Sequence, residues 1–154
     1  MKYIMCVLVL VMLVSTVYAE TAEDSIIIGK LGIYQPISLV VDSDPSNERY
    51  FYDLTNLQNV GRIEGTSWGN VTDKGRIILV GHTPGVFEKI NQLEVSDQII
   101  LYMNGKRHEF FVFDMYTVHK SNDSVISTPA YQFEVVLITC VEGYPDKRLI
   151  IKAK

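Results

Sequence analysis

Apolar residues along this chain occur in short runs punctuated by glycine, proline and asparagine, a pattern that is typical of strands. One such run in the second half joins Val135 to Ile138 and leads to Cys140. An uninterrupted apolar run favours a strand that is covered on both faces over a half-exposed one. A short loop with Gly143 and Pro145 follows, and Arg148 opens the last predicted strand. The pattern therefore predicts a thiol held at the end of a buried strand.

Two earlier segments also have strand character. Residues 25–37 alternate apolar side chains with Gly29 and Gly32, which predicts one strand bent at one of these glycines. The run from Arg76 to Val80 predicts a second strand, and a glycine and His82 follow it directly. A histidine placed just after a strand lies in a loop, where catalytic groups concentrate on a rigid scaffold.

A hairpin and a short helix complete the pattern. Ile99 to Met103 and Lys106 to Val118 flank an Asn-Gly pair, which suits the left-handed positions of a two-residue turn. Residues 86–93 have the apolar spacing of a short helix. Seven or eight strands with little helix predict a single all-β domain over residues 20–154, folded as a closed or nearly closed β-barrel.

The first nineteen residues have the features of an export segment. Lys2 precedes an unbroken apolar run from Ile4 to Val14, and Val17 and Ala19 stand where a signal peptidase requires small residues. The segment predicts either a secretory signal peptide cleaved after Ala19 or an uncleaved membrane anchor, although it is shorter than the ~20 residues of a typical span. Both alternatives predict an extracytoplasmic domain, secreted or anchored to the outer face of the cytoplasmic membrane.

The charge of the chain limits the classes of partner that are expected. The formal net charge is −4 and no basic block occurs, so nucleic acid is not an expected partner. The carboxylates Asp42, Asp44 and Asp53 raise the question of calcium, but their spacing fits no known calcium loop and is typical of solvated turns. No cofactor is therefore expected.

Removal of the first nineteen residues would leave Cys140 as the only cysteine. A lone thiol cannot form an internal disulfide, and in an exported protein it is exposed to oxidation and mispairing. One interpretation is an inert, buried strand cysteine, which is common. The other is a nucleophile that meets His82 and Arg148 at one site. Acyl transfer needs three contributions, namely a nucleophile, a proton donor for the leaving amine, and positive charge or N–H groups near the oxyanion.

Several segments resemble the sortases in content and in order, from about Ser25 to Ala153. They are IIIGKLGIYQPI, VGRIEGTSWGN, IILVGHTPGVFEKINQLEVSDQI, VVLITC and KRLIIKA. Sortases are exported cysteine transpeptidases that attach proteins to the bacterial cell wall or build pili. The resemblance implies an eight-stranded sortase-type β-barrel with one or two short helices. It also implies that Cys140 is the nucleophile, His82 the general acid/base and Arg148 a ligand of the substrate or oxyanion, and it singles out Thr139 beside the thiol.

The sequence departs from the family pattern in three places. The loop after His82 is short, Ser96 stands where glycine often precedes Asp97, and residues 42–59 match no family segment. These differences leave the sortase class open. The expected reaction is cleavage of an LPXTG-like sorting signal through a thioester on Cys140, followed by transfer to a cell-envelope or pilin amine. The alternatives are a hydrolase that releases the peptide to water and a non-catalytic peptide-binding β-barrel.

Overall fold

The structure, a computed structural model, describes residues 23–41, 60–63, 66–67, 71, 73–122 and 124–154. Within these ranges the strands are β1 (Ser25–Ile28), β2 (Ile33–Val41), β3 (Val60–Ile63), β4 (Gly75–Val80), β5 (Gln98–Met103), β6 (Lys106–His119), β7 (Phe133–Val141) and β8 (Tyr144–Ala153). The helices are α1 (Ser124–Ser127) and two 3-10 turns, Gly29–Leu31 and Ile90–Gln92. The predicted export segment and the carboxylates Asp42, Asp44 and Asp53 lie outside the described residues. No helix in the described part is long and apolar enough to cross a membrane.

The eight described strands form one closed barrel in the order β1-β2-β3-β4-β7-β8-β6-β5. The barrel closes where β5 pairs with β1, and most neighbours are antiparallel. The two exceptions are the parallel pairs β2–β3 and β4–β7. This architecture confirms the predicted all-β, eight-stranded barrel with few short helices.

The continuous apolar run of β7 has a simple cause. Val135 and Leu137 face the barrel interior, whereas Val136 and Ile138 belong to a second apolar cluster on the opposite face of the same strands. Successive side chains of a strand point to opposite faces, so a strand that is covered on both sides is apolar throughout. The second cluster is covered by Val125 of α1. We call the side of the sheet that holds this cluster the outer face.

The predicted hairpin is confirmed between β5 and β6. Asn104 and Gly105 occupy its turn with φ angles of 51° and 73°, the two left-handed positions that the Asn-Gly pair predicts. The predicted helix over residues 86–93 is reduced to the 3-10 turn Ile90–Gln92 after a series of turns.

Two boundary predictions were wrong. Residues 25–37 contain parts of two antiparallel strands, because the chain reverses through Gly29–Leu31 and through Gly32, whose φ is 66°. A left-handed φ of this kind favours glycine. The last strand begins at Tyr144 instead of Arg148, since the turn after β7 has only two residues and β8 includes Pro145. Arg148 consequently lies within β8.

Candidate active site

Cys140 and Arg148 lie directly opposite each other on neighbouring strands. They are Cα partners in the antiparallel β7–β8 ladder, with a register shift immediately after Cys140. Alternation along the strands places them on the outer face with Ile138 and Ile150. Directly opposite side chains interact across a strand pair. The thiol is half-buried, whereas Arg148 is only 8% exposed.

His82 reaches the same end of the barrel through the parallel β4–β7 ladder. Val80 is the partner of Ile138, and the Gly81 amide donates a hydrogen bond to the Ile138 carbonyl at 3.2 Å. The pairing therefore continues past the end of β4 and brings His82 level with Cys140. Neighbouring strands are about 5 Å apart, so the two backbones are adjacent. The structure brings all three predicted site residues to the ends of β4 and β7 and the facing part of β8.

Thr139 connects the strand of the thiol to the loop of the histidine. Its side chain is buried, and Oγ1 donates to the Gly81 carbonyl at 2.8 Å. The same oxygen lies 2.7 Å from Oγ1 of Thr83, which is 3.1 Å from the Phe87 carbonyl. Thr139 thus contacts the residues on both sides of His82. These contacts give the residue beside the thiol a structural task, which is to fix the histidine loop.

The close packing around Gly81 explains the glycine before the histidine. A Cβ atom built at Gly81 would lie 2.5 Å from Cδ2 of Phe87, whose side chain is fully buried. The amide of Phe87 in turn donates to the His82 carbonyl at 3.1 Å. The ring of Phe87 therefore occupies the space that any larger residue at position 81 would need, and the loop is held tightly at His82.

The imidazole of His82 is half-buried and incompletely paired. Within the described part of the chain, its Nδ1 is the one buried side-chain nitrogen or oxygen without a hydrogen-bond partner. Buried polar atoms in folded proteins are nearly always paired, and an unpaired one calls for an explanation such as a catalytic role. The unpaired nitrogen therefore supports His82 as a candidate catalytic residue.

The guanidinium of Arg148 is oriented by backbone carbonyls in the first part of β8. Its Nη1 donates to the Lys147 carbonyl at 2.8 Å and to the Pro145 carbonyl at 3.1 Å. Arg148 also lines a small depression on the outer face together with Ile138 and Val125. A buried, oriented arginine beside a thiol provides fixed positive charge and several N–H donors.

A family model described as a Sortase domain matches residues 28–154. The chain belongs to the sortase family. Members of this family are cysteine transpeptidases that act on sorting-signal peptides.

Known sortases are similar to this chain in sequence and in fold. Sortase D of Bacillus subtilis (strain 168) is 30% identical over 86 residues, which cover 53% of this chain and 43% of that protein. The alignment thus spans less than half of the relative. Sortase C-1 from Actinomyces oris has a TM-score of 0.65 at 24% identity, over 84% of this chain and 71% of the other. Sortase C from Clostridium perfringens, solved with the C-terminal cell wall sorting motif, has a TM-score of 0.65 at 22% identity, over 84% of this chain and 67% of the other. Both structures support the sortase fold.

A second polar cluster on the outer face of this sortase was missed in the sequence. Arg76 and Glu134 are Cα partners on β4 and β7 and form an ion pair. Nζ of Lys152 on β8 lies 3.5 Å from Oε2 of the same carboxylate. The sequence signal for this cluster was Glu134 beside the apolar run of β7, because a glutamate on a buried strand needs a partner.

The described residues contain no group of three histidine, cysteine or acidic side chains arranged to hold a metal ion.

Proposed function

We propose that this sortase is a cysteine transpeptidase that cleaves an LPXTG-like sorting signal and joins the acyl fragment to an amine of the cell envelope or of a pilin. The observation that supports this most directly is the convergence of Cys140, His82 and Arg148 through the β4–β7 and β7–β8 ladders. A thiol, an imidazole and a guanidinium in adjacent positions are the groups that acyl transfer needs.

In the first half-reaction, the thiolate of Cys140 attacks the scissile carbonyl carbon, and a carbon–sulfur bond forms. The carbonyl oxygen becomes an oxyanion, which Arg148 stabilises with its charge and N–H donors. The carbon–nitrogen bond then breaks as His82 donates a proton to the leaving amine. The products are a thioester on Cys140 and a free peptide amine.

In the second half-reaction, an acceptor amine attacks the thioester and loses its proton to His82. The carbon–sulfur bond breaks, the new amide leaves, and the thiolate of Cys140 is restored. Water in place of the amine would give hydrolysis, so the acceptor that reaches the thioester decides between transpeptidase and hydrolase.

The proposed location follows from the reaction. Sorting signals and envelope amines are found outside the cytoplasm, and residues 1–19 would direct the chain there as a signal peptide or hold it at the outer face of the membrane. The proposed chemistry requires no cofactor, because the three side chains supply the nucleophile, the proton and the positive charge.

A peptide library tests the proposal. The wild-type chain is incubated with the library and with an amine such as triglycine, and the products are identified by mass. Amide products that disappear in Cys140→Ala support a transpeptidase, whereas free acids alone indicate a hydrolase. A lack of any product would contradict both enzyme functions.

Thiol alkylation separates an enzyme from a peptide-binding barrel. The rate of reaction of Cys140 with iodoacetamide is compared between the wild type, His82→Ala and the denatured chain. An enhanced rate that depends on His82 supports catalysis. A rate equal to that of the denatured chain would favour the non-catalytic alternative.

A further inference from the structure

The described residues of the connection between β6 and β7, 120–122 and 124–132, rest on the outer face beside the candidate site. Its helix α1 is only four residues long and inserts Val125, which is 5% exposed, into the outer apolar cluster. In the same cluster, Ile138 is two residues from Cys140, and Ile150 is two residues from Arg148. The connection is therefore seated on the face that presents the thiol and the guanidinium.

Arg76 attaches this connection to the barrel. Its Nη1 donates to the Val125 carbonyl and, at 2.9 Å, to the Thr128 carbonyl. Carbonyls near the end of a helix have no partner within the helix, so the arginine supplies donors that the connection lacks. Its Nε donates to Oε1 of Glu134, and Nη2 forms an ion pair with the same oxygen. One guanidinium thus joins β4, β7 and the connection.

The ion pair between Arg76 and Glu134 is buried, which makes its geometry well defined. The side chain of Arg76 is 10% exposed and that of Glu134 is 6% exposed. Buried ion pairs contribute little net stability, because desolvation offsets the attraction, but they can fix one arrangement of the chain. The planar fork of arginine reaches the carboxylate and the carbonyls from separate nitrogens, a spacing that the compact ammonium group of lysine does not match.

Val125 lines two depressions on the outer face. The smaller one adjoins Arg148 and Ile138. The larger one has a volume of about 340 Å³ and contains Arg76 and Lys152. Val125 lines the depression beside the candidate site, and Arg76 bonds the carbonyl of this residue.

We infer that Arg76 is a positioning residue for substrate recognition. By binding the carbonyls of Val125 and Thr128, it fixes the β6–β7 connection as the wall against which the peptide packs beside Cys140. This role rests on the proposed function, because it assigns the outer face to the sorting-signal peptide. It concerns peptide affinity and leaves the chemical steps to the three residues at the strand ends.

The test compares two changes at the same carboxylate. The double variant Arg76→Met/Glu134→Leu removes the bonds to the connection together with both charges of the Arg76–Glu134 pair. Lys152→Met removes a cation from Glu134 but leaves the bonds from Arg76 to the connection intact. In the double variant we expect KM for a Leu-Pro-Ala-Thr-Gly peptide to rise about tenfold with kcat within about threefold, the signature of lost binding. In Lys152→Met both constants stay within about twofold of the wild type.

Peptide affinity in a Cys140→Ala background and hydrogen exchange over residues 120–132 provide readouts that need no turnover. The double variant should bind the fluorescein-labelled peptide more weakly and exchange these amides faster, and Lys152→Met should match the parent in both. If the double variant does not fold, Arg76→Lys takes its place with the same expected directions, since lysine lacks the fork.

Each contrary outcome overturns a defined part of the inference. Unchanged exchange would show that Arg76 does not hold the connection. Faster exchange with unchanged KM and affinity, or a loss confined to kcat, would show that the connection is not the recognition wall. If the wild-type chain neither cleaves nor binds the peptide, the recognition role fails together with the proposed substrate class, and the exchange result still decides the structural role of Arg76.

Discussion

The amide of Gly81 donates a hydrogen bond to the carbonyl of Ile138 at 3.2 Å, one residue beyond the end of β4. This bond extends the parallel β4–β7 ladder into the loop that contains His82. Strand pairing therefore determines the relative position of the His82 and Cys140 backbones. The loop determines only the orientation of the His82 side chain. Sites that are built on regular elements in this way are more precise than sites on loops.

The packing around Gly81 yields the first prediction. Gly81→Ala places a methyl group against the ring of Phe87, at 2.5 Å from Cδ2, and overpacking of a dense core typically costs about 1–3 kcal/mol. The loop must shift to relieve the contact and will displace His82. We expect a lower free energy of unfolding in urea. We also expect turnover to fall by at least as large a factor as the His82-dependent rate of Cys140 alkylation.

Gly29→Ala is the matched control for this change. A Cβ at Gly29 meets no atom within 4 Å, and its φ is not in the left-handed region. Stability and activity should both stay close to those of the wild type. If Gly81→Ala behaves like Gly29→Ala, then the contact with Phe87 does not hold the histidine loop.

The hydroxyl of Thr139 yields the second prediction. Thr139→Val removes the bond to the Gly81 carbonyl and the contact with Thr83, and a buried carbonyl that loses its donor costs about 1–3 kcal/mol. We expect reduced stability in urea and reduced kcat/KM, because the loop of His82 is no longer tied to β7. Thr139→Ser keeps the hydroxyl and should retain most of the activity. Equal losses in both variants would indicate that the methyl group matters and the hydrogen bonds do not.

The sequence predicts the strands of this barrel better than its turns, and the reason is physical. The run from Val135 to Ile138 identified β7 because both of its faces are covered, which leaves no polar positions to confuse the pattern. In residues 25–37 the same apolar–glycine alternation continues through a chain reversal. Only the left-handed conformation of Gly32 distinguishes that reversal from a bend.

Only the site residues that border a recognisable strand could be predicted from the sequence. Cys140 follows an apolar run and His82 follows another, so each lies where a strand stops. The ion pair of Arg76 with Glu134 joins positions 58 residues apart. No local pattern pairs two such residues, because their contact depends on the parallel register of β4 and β7. The bonds from Arg76 to the β6–β7 connection were hidden for the same reason.

The third prediction concerns the shape of the cation opposite the thiol. Arg148→Lys keeps the positive charge but loses the fork whose Nη1 bonds the carbonyls of Pro145 and Lys147. Because a fixed oxyanion donor typically contributes about a hundredfold to kcat, we expect a loss of that order with a smaller change in KM. The measurement is steady-state kinetics with the best library peptide. Near-normal kinetics would make Arg148 a structural residue.

The fourth prediction concerns an ion cluster far from the thiol. Nζ of Lys30 lies 2.8 Å from Oε2 of Glu94 and 2.8 Å from Oδ2 of Asp97. The hydrogen bond from Lys30 lowers the pKa of Asp97 below its ordinary 3.8. The hydrogen bonds to Asp97 and Glu94 raise the pKa of Lys30 above 10.5. The cluster ties the turn after β1 to the segment before β5.

The signs of these shifts define a pH window. A carboxyl with a depressed pKa stabilises the fold above its unfolded pKa and loses that contribution as pH falls through the folded value. A lysine with a raised pKa stabilises the fold below its unfolded pKa and loses that contribution as pH rises through the folded value. The contribution of the Lys30–Asp97 contact should therefore be constant from about pH 5 to pH 9 and decline on both sides.

Comparison of the wild type with Lys30→Met by urea denaturation measures this contribution. Between pH 5 and pH 9 the variant should be the less stable chain, and the difference should shrink as pH falls from the ordinary aspartate pKa of 3.8 through the lowered pKa of Asp97. Added salt should also reduce the difference, because these side chains are accessible to solvent. Lys106→Met removes the same charge from the exposed first residue of β6 and controls for net charge. A difference that persists unchanged through the acid range would mean that the alkyl chain of Lys30, and not its charge, supports this part of the barrel.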